Sequence, residues 1–479
     1  MAETREAPSS PLHVVVFPWL AFGHIIPYLE LSEQLAKRGH AVTFVSAPRN
    51  ITRLRPIPEN LSSRIRLVPL TLPRVEGLPD GAESTADVPP EKVELLKVAF
   101  DGLAVPFASF LAEACTGEKG VRGFGKKPDW VLVDFAHYWL PPIAEQHKVP
   151  CAFFSIFPAA FIAFAGPKTE NDAAPRTTPE DLTAQPRWIP FPTPIAHRLH
   201  EAKGIIQAFR PNASGPSDIY RFWQTEQRCP LIILRSCREV EGPLCPLIAD
   251  LFGKPVAPSG LLSPFDAALA AADRVVEGDK ESASLMHWLN EQPARSVIYV
   301  ALGSEAPLSP DDVHELALGL ELAGVRFLWA LRERSAPLLP DGFEERVAGR
   351  GVVRVGWVPQ VRVLAHGAVS AFLTHAGWSS LMESFLFGHP LVMLPLFADQ
   401  SLTARAMADR AVGLEVPRDE EDGSFGRDDV ATTVRRVMAV DDEGKAFARN
   451  AKELQEVLWD RTKQEKYLDE LVEHLLRVR

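Results

Sequence analysis

Cysteine is scarce and unpatterned in this chain: five residues in 479, irregularly spaced and with no CxxC pair. That argues against a disulfide framework and fits a reducing, cytosolic setting. Positive charge is short as well, since 51 Lys and Arg against 62 Asp and Glu give a formal net charge of −11. Phosphate backbones select basic surfaces, so no nucleic-acid partner is expected. Any anionic ligand must then be held by local dipoles and single residues. Long apolar runs are missing too: the longest, Cys151–Ala165, is interrupted by Ser155 and Pro158 and is too short to span a bilayer. The start, MAETREAPSS, is acidic and polar where a secretory leader would be basic and then apolar, so a cytoplasmic protein without a membrane span is the expectation. Metal ligands at recognised spacing are absent. His197 and His200 lack a third partner, and the acidic runs Asp419–Asp422 and Asp441–Glu443 read as solvated surface.

What is present is a globular balance, 46% hydrophobic and 24% charged, in a length that exceeds one ordinary core. Two domains are expected. Strand-like runs at Leu12–Phe17, Ala41–Ser46, Ile65–Leu70, Asp129–Asp134, Cys151–Ser155 and Leu231–Leu234 alternate with helical periodicity, as in Ile25–Arg38 and Glu91–Ala114. A second series begins at Ser296–Leu302 and continues through Arg326–Leu331, Val352–Val355, Val369–Leu373 and Leu391–Leu394. Alternation of this kind implies α/β domains with parallel sheets and right-handed crossovers. The aromatic-rich stretch 166–225 reads as irregular structure and short helices lining a pocket, and Phe252–Lys280 as the linker. The expected division is 1–252, a linker at 253–280, 281–460, and a C-terminal helix in 461–479.

Ligands of parallel sheets bind beyond the carboxyl ends of the strands. His24 and Asp134 each follow such an end, so one crevice can hold both. An imidazole paired with a carboxylate is the usual general base and orienter. From spacing alone, a helix cap at His24 and a strand terminator at Asp134 remain equally open.

The densest stretch runs from Trp357 to Gln400. Within it a strand ends at Thr374-His375 and Gly377 opens a helix near Trp378. Strand, tight turn and helix N-terminus make an anion cradle. Glu383 lies a turn further on, and Asp399-Gln400 follow the next strand. A stacking ring, a phosphate cradle and two carboxylates for hydroxyls are the parts of a nucleotide-sugar site.

Trp357, Pro359, Gln360, Leu364, His366, Phe372, Thr374, His375, Gly377, Trp378, Ser380, Glu383, Gly388, Pro390, Pro395, Asp399 and Gln400 fall at the spacing of a known signature box. The stretch resembles that of the plant family-1 UDP-sugar-dependent glycosyltransferases. Two departures stand out: Ser379 where the family usually has Asn, and Ala376 where Cys is common.

The resemblance implies the GT-B fold, two Rossmann-like domains facing across a cleft, with the last helix crossing back to the first. It implies Trp357 stacked on uracil, Gln360 and Glu383 on ribose, and His375, Ser380, Ser304 and the Gly377-Trp378 backbone on the diphosphate, with Gly23, Val358 and Ser379 beside them. Trp378, Asp399 and Gln400 would face the sugar, Gln400 being the family's usual choice for glucose. It favours His24, in Gly23-His24-Ile25-Ile26-Pro27, as base and Asp134 as its partner. The implied reaction is inverting, metal-independent glucosyl transfer from UDP-glucose, with no cofactor and a monomeric enzyme. PRVEGLPDGAEST and YVALGSE resemble the subgroup that adds a sugar to the sugar of flavonoid or diterpenoid glycosides. An aglycone acceptor and UDP-rhamnose or UDP-xylose donors stay open. Trp19, Phe22, Ser155, Phe209 and Trp223 are acceptor-pocket candidates by position. A hydrolase is disfavoured because Gly377-Trp378-Ser379-Ser380-Leu381 lacks the last Gly of a nucleophile elbow. A non-catalytic nucleotide-sugar binder would lack His24 or Asp134, and both are present.

Overall fold

Apolar runs rich in β-branched residues need cover on both faces, which a parallel sheet flanked by helices supplies. The computed structural model describes residues 10–117, 124–262, 280–303, 306–332, 335 and 338–477, and places these runs in two all-parallel sheets. The first holds β1 (His13–Phe17), β2 (Ala41–Ser46), β3 (Ile65–Pro69), β4 (Trp130–Val133), β5 (Cys151–Ser155), β6 (Leu231–Leu234) and β7 (Val256–Pro258), in the order β3-β2-β1-β4-β5-β6-β7. The second holds β8 (Val297–Ala301), β9 (Arg326–Leu331), β10 (Gly351–Val355), β11 (Val369–Thr374), β12 (Leu391–Met393) and β13 (Gly413–Glu415), in the order β10-β9-β8-β11-β12-β13. In each sheet the order reverses once, between β1 and β4 and between β8 and β11. Those two points are where a parallel sheet opens a crevice.

The first unit takes the chain to Ala174, then Ala208–Leu262, then Thr462 onward; the second takes Pro175–Gln207 and Ser263–Arg461. Both sequence boundaries therefore move. Val256–Pro258, inside the expected linker, pairs with β6 as an edge strand, so the first unit extends to Leu262. Three residues preceded by Pro255 and ending in Pro258 give too short a run to read as a strand, and an edge is where Pro is tolerated. The rest of that segment, 263–279, lies outside the described residues.

The second correction concerns 175–207, expected among the pocket-lining residues of the first domain but belonging to the second unit. Polar contacts hold it there: His197 Nδ1 lies 2.9 Å from Ser401 Oγ, and Arg405 donates to Glu201 at 2.7 Å with both side chains about nine-tenths buried. Lys203 donates to the Glu421 carbonyl at 2.7 Å. Such contacts leave no periodicity in the sequence.

The helix Arg461–Arg477 packs in the first unit because it is amphipathic. Leu468, Leu471 and Leu475 enter the core beside Val14, Tyr28 and Phe44. Each buried leucine contributes about 1.5–3 kcal/mol. The Trp130 indole donates to the Leu475 carbonyl at 2.8 Å, and Arg38 pairs with Asp469 at 2.7 Å. By length and composition one helical stretch, Pro90–Thr116, is apolar enough to cross a membrane. Its Phe100 and Phe107 instead pack on Phe17 of β1, each with ring centroids 5.6 Å apart, as core residues. All five cysteines are free thiols.

Candidate active site

The first crevice is built by the turn after β1 and the turn after β4. β1 ends at Phe17, the chain bends at Ala21, and the helix Phe22–Lys37 carries His24 in its first turn. β4 ends at Val133, so Asp134 is the first residue beyond it. Because β1 and β4 are paired with Phe17 opposite Val133, the two turns meet. His24 Nδ1 lies 2.7 Å from Asp134 Oδ2.

Asp134 is fully buried, which opposes its ionisation. The adjacent His24, with the Trp19 N–H at 3.1 Å, nevertheless holds its carboxyl below the usual range. Its Oδ1 accepts the Phe135 N–H at 2.8 Å. A carboxylate fixed by two backbone amides can only present its remaining lone pairs to the imidazole. The consequence is one tautomer, with the proton on Nδ1 and Nε2 left as the acceptor. The His24 side chain is 12% exposed, enough for a small molecule to reach.

Around it stands an aromatic wall. Phe135 and Phe157 lie 5.7 and 5.3 Å from the His24 ring, and Phe161 packs tilted against Phe157 with ring centroids 4.7 Å apart. Sequence reasoning missed all three. Phe135 directly follows the aspartate, which was the available signal.

The acceptor candidates fare unevenly. Ser155 is fully buried and its hydroxyl donates to the Phe157 carbonyl at 3.2 Å, so it does not face a ligand: its position at the end of β5 points it into the sheet. Trp19 is 4% exposed and packs edge-on against Phe100 at 5.0 Å, so its ring is core and its backbone N–H is what serves Asp134. Phe22 is half-buried with the Arg53 guanidinium 5.9 Å over its ring. Phe209 and Trp223 are partly exposed neighbours with centroids 6.4 Å apart, and the Trp223 indole donates to the Gly166 carbonyl. Gly23 is exposed in the first turn beside His24.

The second crevice repeats the design with different chemistry. β8 and β11 are neighbours, with Ala301 opposite Thr374, so Gly303 and His375 come together just beyond them. The packing allows no side chain between them: a Cβ on Gly303 would stand 2.7 Å from His375 Nε2, and one on Gly377 2.4 Å from it. Burial, with the charge of Arg332 adding to it, pushes the His375 imidazole down to about 4, so it stays neutral and can donate to an anion. Gly377 is the N-cap of the helix Trp378–Phe385, whose first turn contains Ser379 and Ser380 and has no side-chain cap. Its dipole favours negative charge there.

Further round, Gln360 Nε2 donates to Glu383 Oε2 at 2.7 Å, while Tyr299 O–H approaches Gln360 Oε1 at 3.5 Å. Two polar side chains locked together in this way present a fixed pair of acceptors. Trp357 stands clear, 75% exposed, with buried Val358 as its foot. A large exposed indole has no packing reason to be there, and a planar ligand would cover it.

Trp378 is 4% exposed and belongs largely to the core. Asp399 occupies the N-cap position of the helix Gln400–Asp409 without capping it. Gln400 is buried, and its Oε1 accepts the N–H groups of Leu396 and Phe397 at 3.0 and 3.2 Å. Its carbonyl therefore shapes the loop, leaving Nε2 as the group able to face a sugar. Ser304 lies outside the described residues. Among the described residues no group of three or more His, Cys, Asp or Glu is placed to hold a metal.

Comparison with known proteins agrees with this chemistry. A family model described as "UDP-glucoronosyl and UDP-glucosyl transferase" matches residues 266–473. The chain is 41% identical to UDP-glycosyltransferase 91A1 of Arabidopsis thaliana over 98% of each protein. It is 36% identical to the anthocyanidin-3-O-glucoside rhamnosyltransferase of Petunia hybrida, over 97% of this chain and 96% of that one. Among solved structures, Glycyrrhiza uralensis UGT73P12 complexed with glycyrrhetinic acid 3-O-monoglucuronide has a TM-score of 0.78 at 23% identity, covering 97% of this chain and 96% of that one. That likeness concerns the fold, the two parallel-sheet α/β domains of the GT-B class.

Proposed function

The chain belongs to the plant family-1 UDP-dependent glycosyltransferases, and on that premise we propose that it is an inverting, metal-independent glucosyltransferase using UDP-glucose on a sugar hydroxyl of a small-molecule glycoside. The observation that carries the reading is the 2.7 Å contact between His24 Nδ1 and Asp134. The acceptor hydroxyl gives its proton to His24 Nε2 as its oxygen forms a bond to the anomeric carbon. The bond from that carbon to the diphosphate oxygen breaks, UDP departs with the electron pair, and attack from the opposite side yields a β-glycoside.

In the second unit, Trp357 stacks on uracil, and Glu383, oriented by Gln360, accepts the ribose hydroxyls. Neutral His375, Ser379, Ser380 and the N-terminus of the helix Trp378–Phe385 meet the diphosphate. Asp399 and Gln400 read the sugar. Glu383→Ala is expected to raise KM for UDP-glucose about tenfold or more with little change in kcat, since uniform donor binding is what it removes. Steady-state kinetics at varied donor decides; an unchanged KM takes Glu383 out of the ribose site.

A glycoside acceptor is supported by the Petunia relative, whose name specifies a glucoside. The same relative is a rhamnosyltransferase, which gives UDP-rhamnose a specific claim as the second donor reading. A screen by mass spectrometry of UDP-glucose, UDP-rhamnose and UDP-xylose against aglycones and their monoglucosides tests both points. Gain of a hexose on the monoglucosides is expected. Product on aglycones alone would overturn the acceptor assignment, and deoxyhexose gain would overturn the donor. A cytoplasmic monomer completes the proposal.

A further inference from the structure

One imidazole beside this pair takes no part in the proposed proton transfer. His137 is fully buried, and its ring is enclosed by Phe17, Phe100 and Trp139, with centroids at 4.8, 4.8 and 5.9 Å. Its Nδ1 lies 3.2 Å from both the backbone nitrogen and the backbone oxygen of Asp134. The Asp134 carbonyl already accepts the His137 backbone N–H at 3.3 Å. With the ring proton on Nε2, Nδ1 accepts the Asp134 N–H.

That assignment has a consequence. Nε2 finds no hydrogen-bond partner inside the aromatic cage, and a buried polar atom without one is unfavourable. A phenylalanine would fill the cage with no such atom. What imidazole supplies and a phenyl ring lacks is the acceptor for the amide of Asp134, at the point where β4 ends and the carboxylate turns toward His24. The next two carbonyls of the turn are held as well, Phe135 O by the Thr225 hydroxyl at 3.2 Å and Ala136 O by Arg221 at 3.3 Å. His137 closes the end of the turn that carries the carboxylate.

We propose that His137 is a positioning residue for the reaction, acting through the backbone of Asp134 to aim its carboxylate at His24. The inference rests on the reading of His24 as base. It separates from a packing role because two substitutions have opposite consequences under the two readings. His137→Phe keeps the packing and removes the acceptor. His137→Asn carries its Oδ1 where the imidazole has Nδ1 but underfills the cage.

In the full-length enzyme, with a donor and acceptor that the wild type turns over, His137→Phe is expected to leave Tm close to wild type, because removal of the unpartnered Nε2 offsets the Asp134 N–H left without an acceptor. It should lower kcat about tenfold at unchanged KM for the UDP-sugar, since small misplacements of reacting groups carry losses of this order. His137→Asn is expected to melt earlier yet keep kcat within about threefold of wild type. In an Asp134→Asn background, His137→Phe should slow the enzyme no further, because it acts through a carboxylate already removed. Wild-type kcat in His137→Phe overturns the inference, as does a full multiplicative loss in the double variant or a kcat loss confined to His137→Asn. Should His24→Ala and Asp134→Asn themselves retain turnover, the reading of the base fails, and that result is distinguishable from the others.

Discussion

His24→Ala is expected to reduce kcat by about 10²–10⁴-fold while KM for the donor stays within a small factor, because a positioned general base is worth about that much. The magnitude follows from what the site offers the acceptor. A hydroxyl is a poor nucleophile until its proton is leaving, and His24 Nε2 is the basic atom presented between Phe135 and Phe157. The ring's other nitrogen is fixed 2.7 Å from a carboxylate that two backbone amides hold in place. Asp134→Asn should therefore also be severe: the tautomer is no longer imposed by an acceptor-only group, and the developing imidazolium loses its counter-charge. The double variant should be little worse than His24→Ala alone, as expected for groups that act as one unit. Single-turnover measurements at saturating donor report the chemical step. Turnover near wild type in His24→Ala would remove the base from this scheme.

Acid is expected to unfold the protein between about pH 6 and 4, and the second unit first. Four histidines are strongly shifted: His137, His375 and His389, pushed down to about 4, and His197, pushed down to about 3. Burial is the main cause in each, and at His197 the charges of Arg405 and Arg176 add to it. Above about pH 6.5 these rings are neutral in folded and unfolded chains alike, and contribute no pH dependence. Below it the unfolded chain takes up protons that the folded chain refuses until pH 4 or lower, so stability falls as pH drops through that window. Each ring contributes about 1.4 kcal/mol per pH unit there, so four contribute about 6 kcal/mol per unit against a total stability of roughly 5–15 kcal/mol. His197, His375 and His389 lie in the second unit and His137 in the first. Circular dichroism against pH, with limited proteolysis to identify the unit that opens, tests this. A flat stability from pH 7 to 5 would contradict it.

The second crevice was the more legible of the two, for a physical reason. Its strand ends, turn and helix N-terminus are successive pieces of one stretch, Trp357–Gln400, so the spacing of ligand groups along the chain is also their spacing in space. Even there, contacts refined the reading. Gln400 turned inward to the Leu396 and Phe397 amides, and the clasp of Gln360 on Glu383 was not visible as spacing. In the first unit the aromatic wall around His24 stayed hidden, since Phe135 follows β4 while Phe157 and Phe161 follow β5, and their approach depends on β4 lying between β1 and β5. The Ser155 hydroxyl is turned to the Phe157 carbonyl, a contact that spacing along the chain does not reveal.

By itself the sequence determined the α/β alternation, the β-rich runs and the local chemistry at each strand's carboxyl end, because hydrophobic periodicity and turn residues act over a few positions. Tertiary structure alone decided the rest. It brought His24 within 2.7 Å of a carboxylate 110 positions away, closed Phe17 and Phe100 around the His137 ring, added β7 to the first sheet and gave 175–207 to the second unit. Each depends on strand order and long-range packing, and neither leaves a local pattern along the chain.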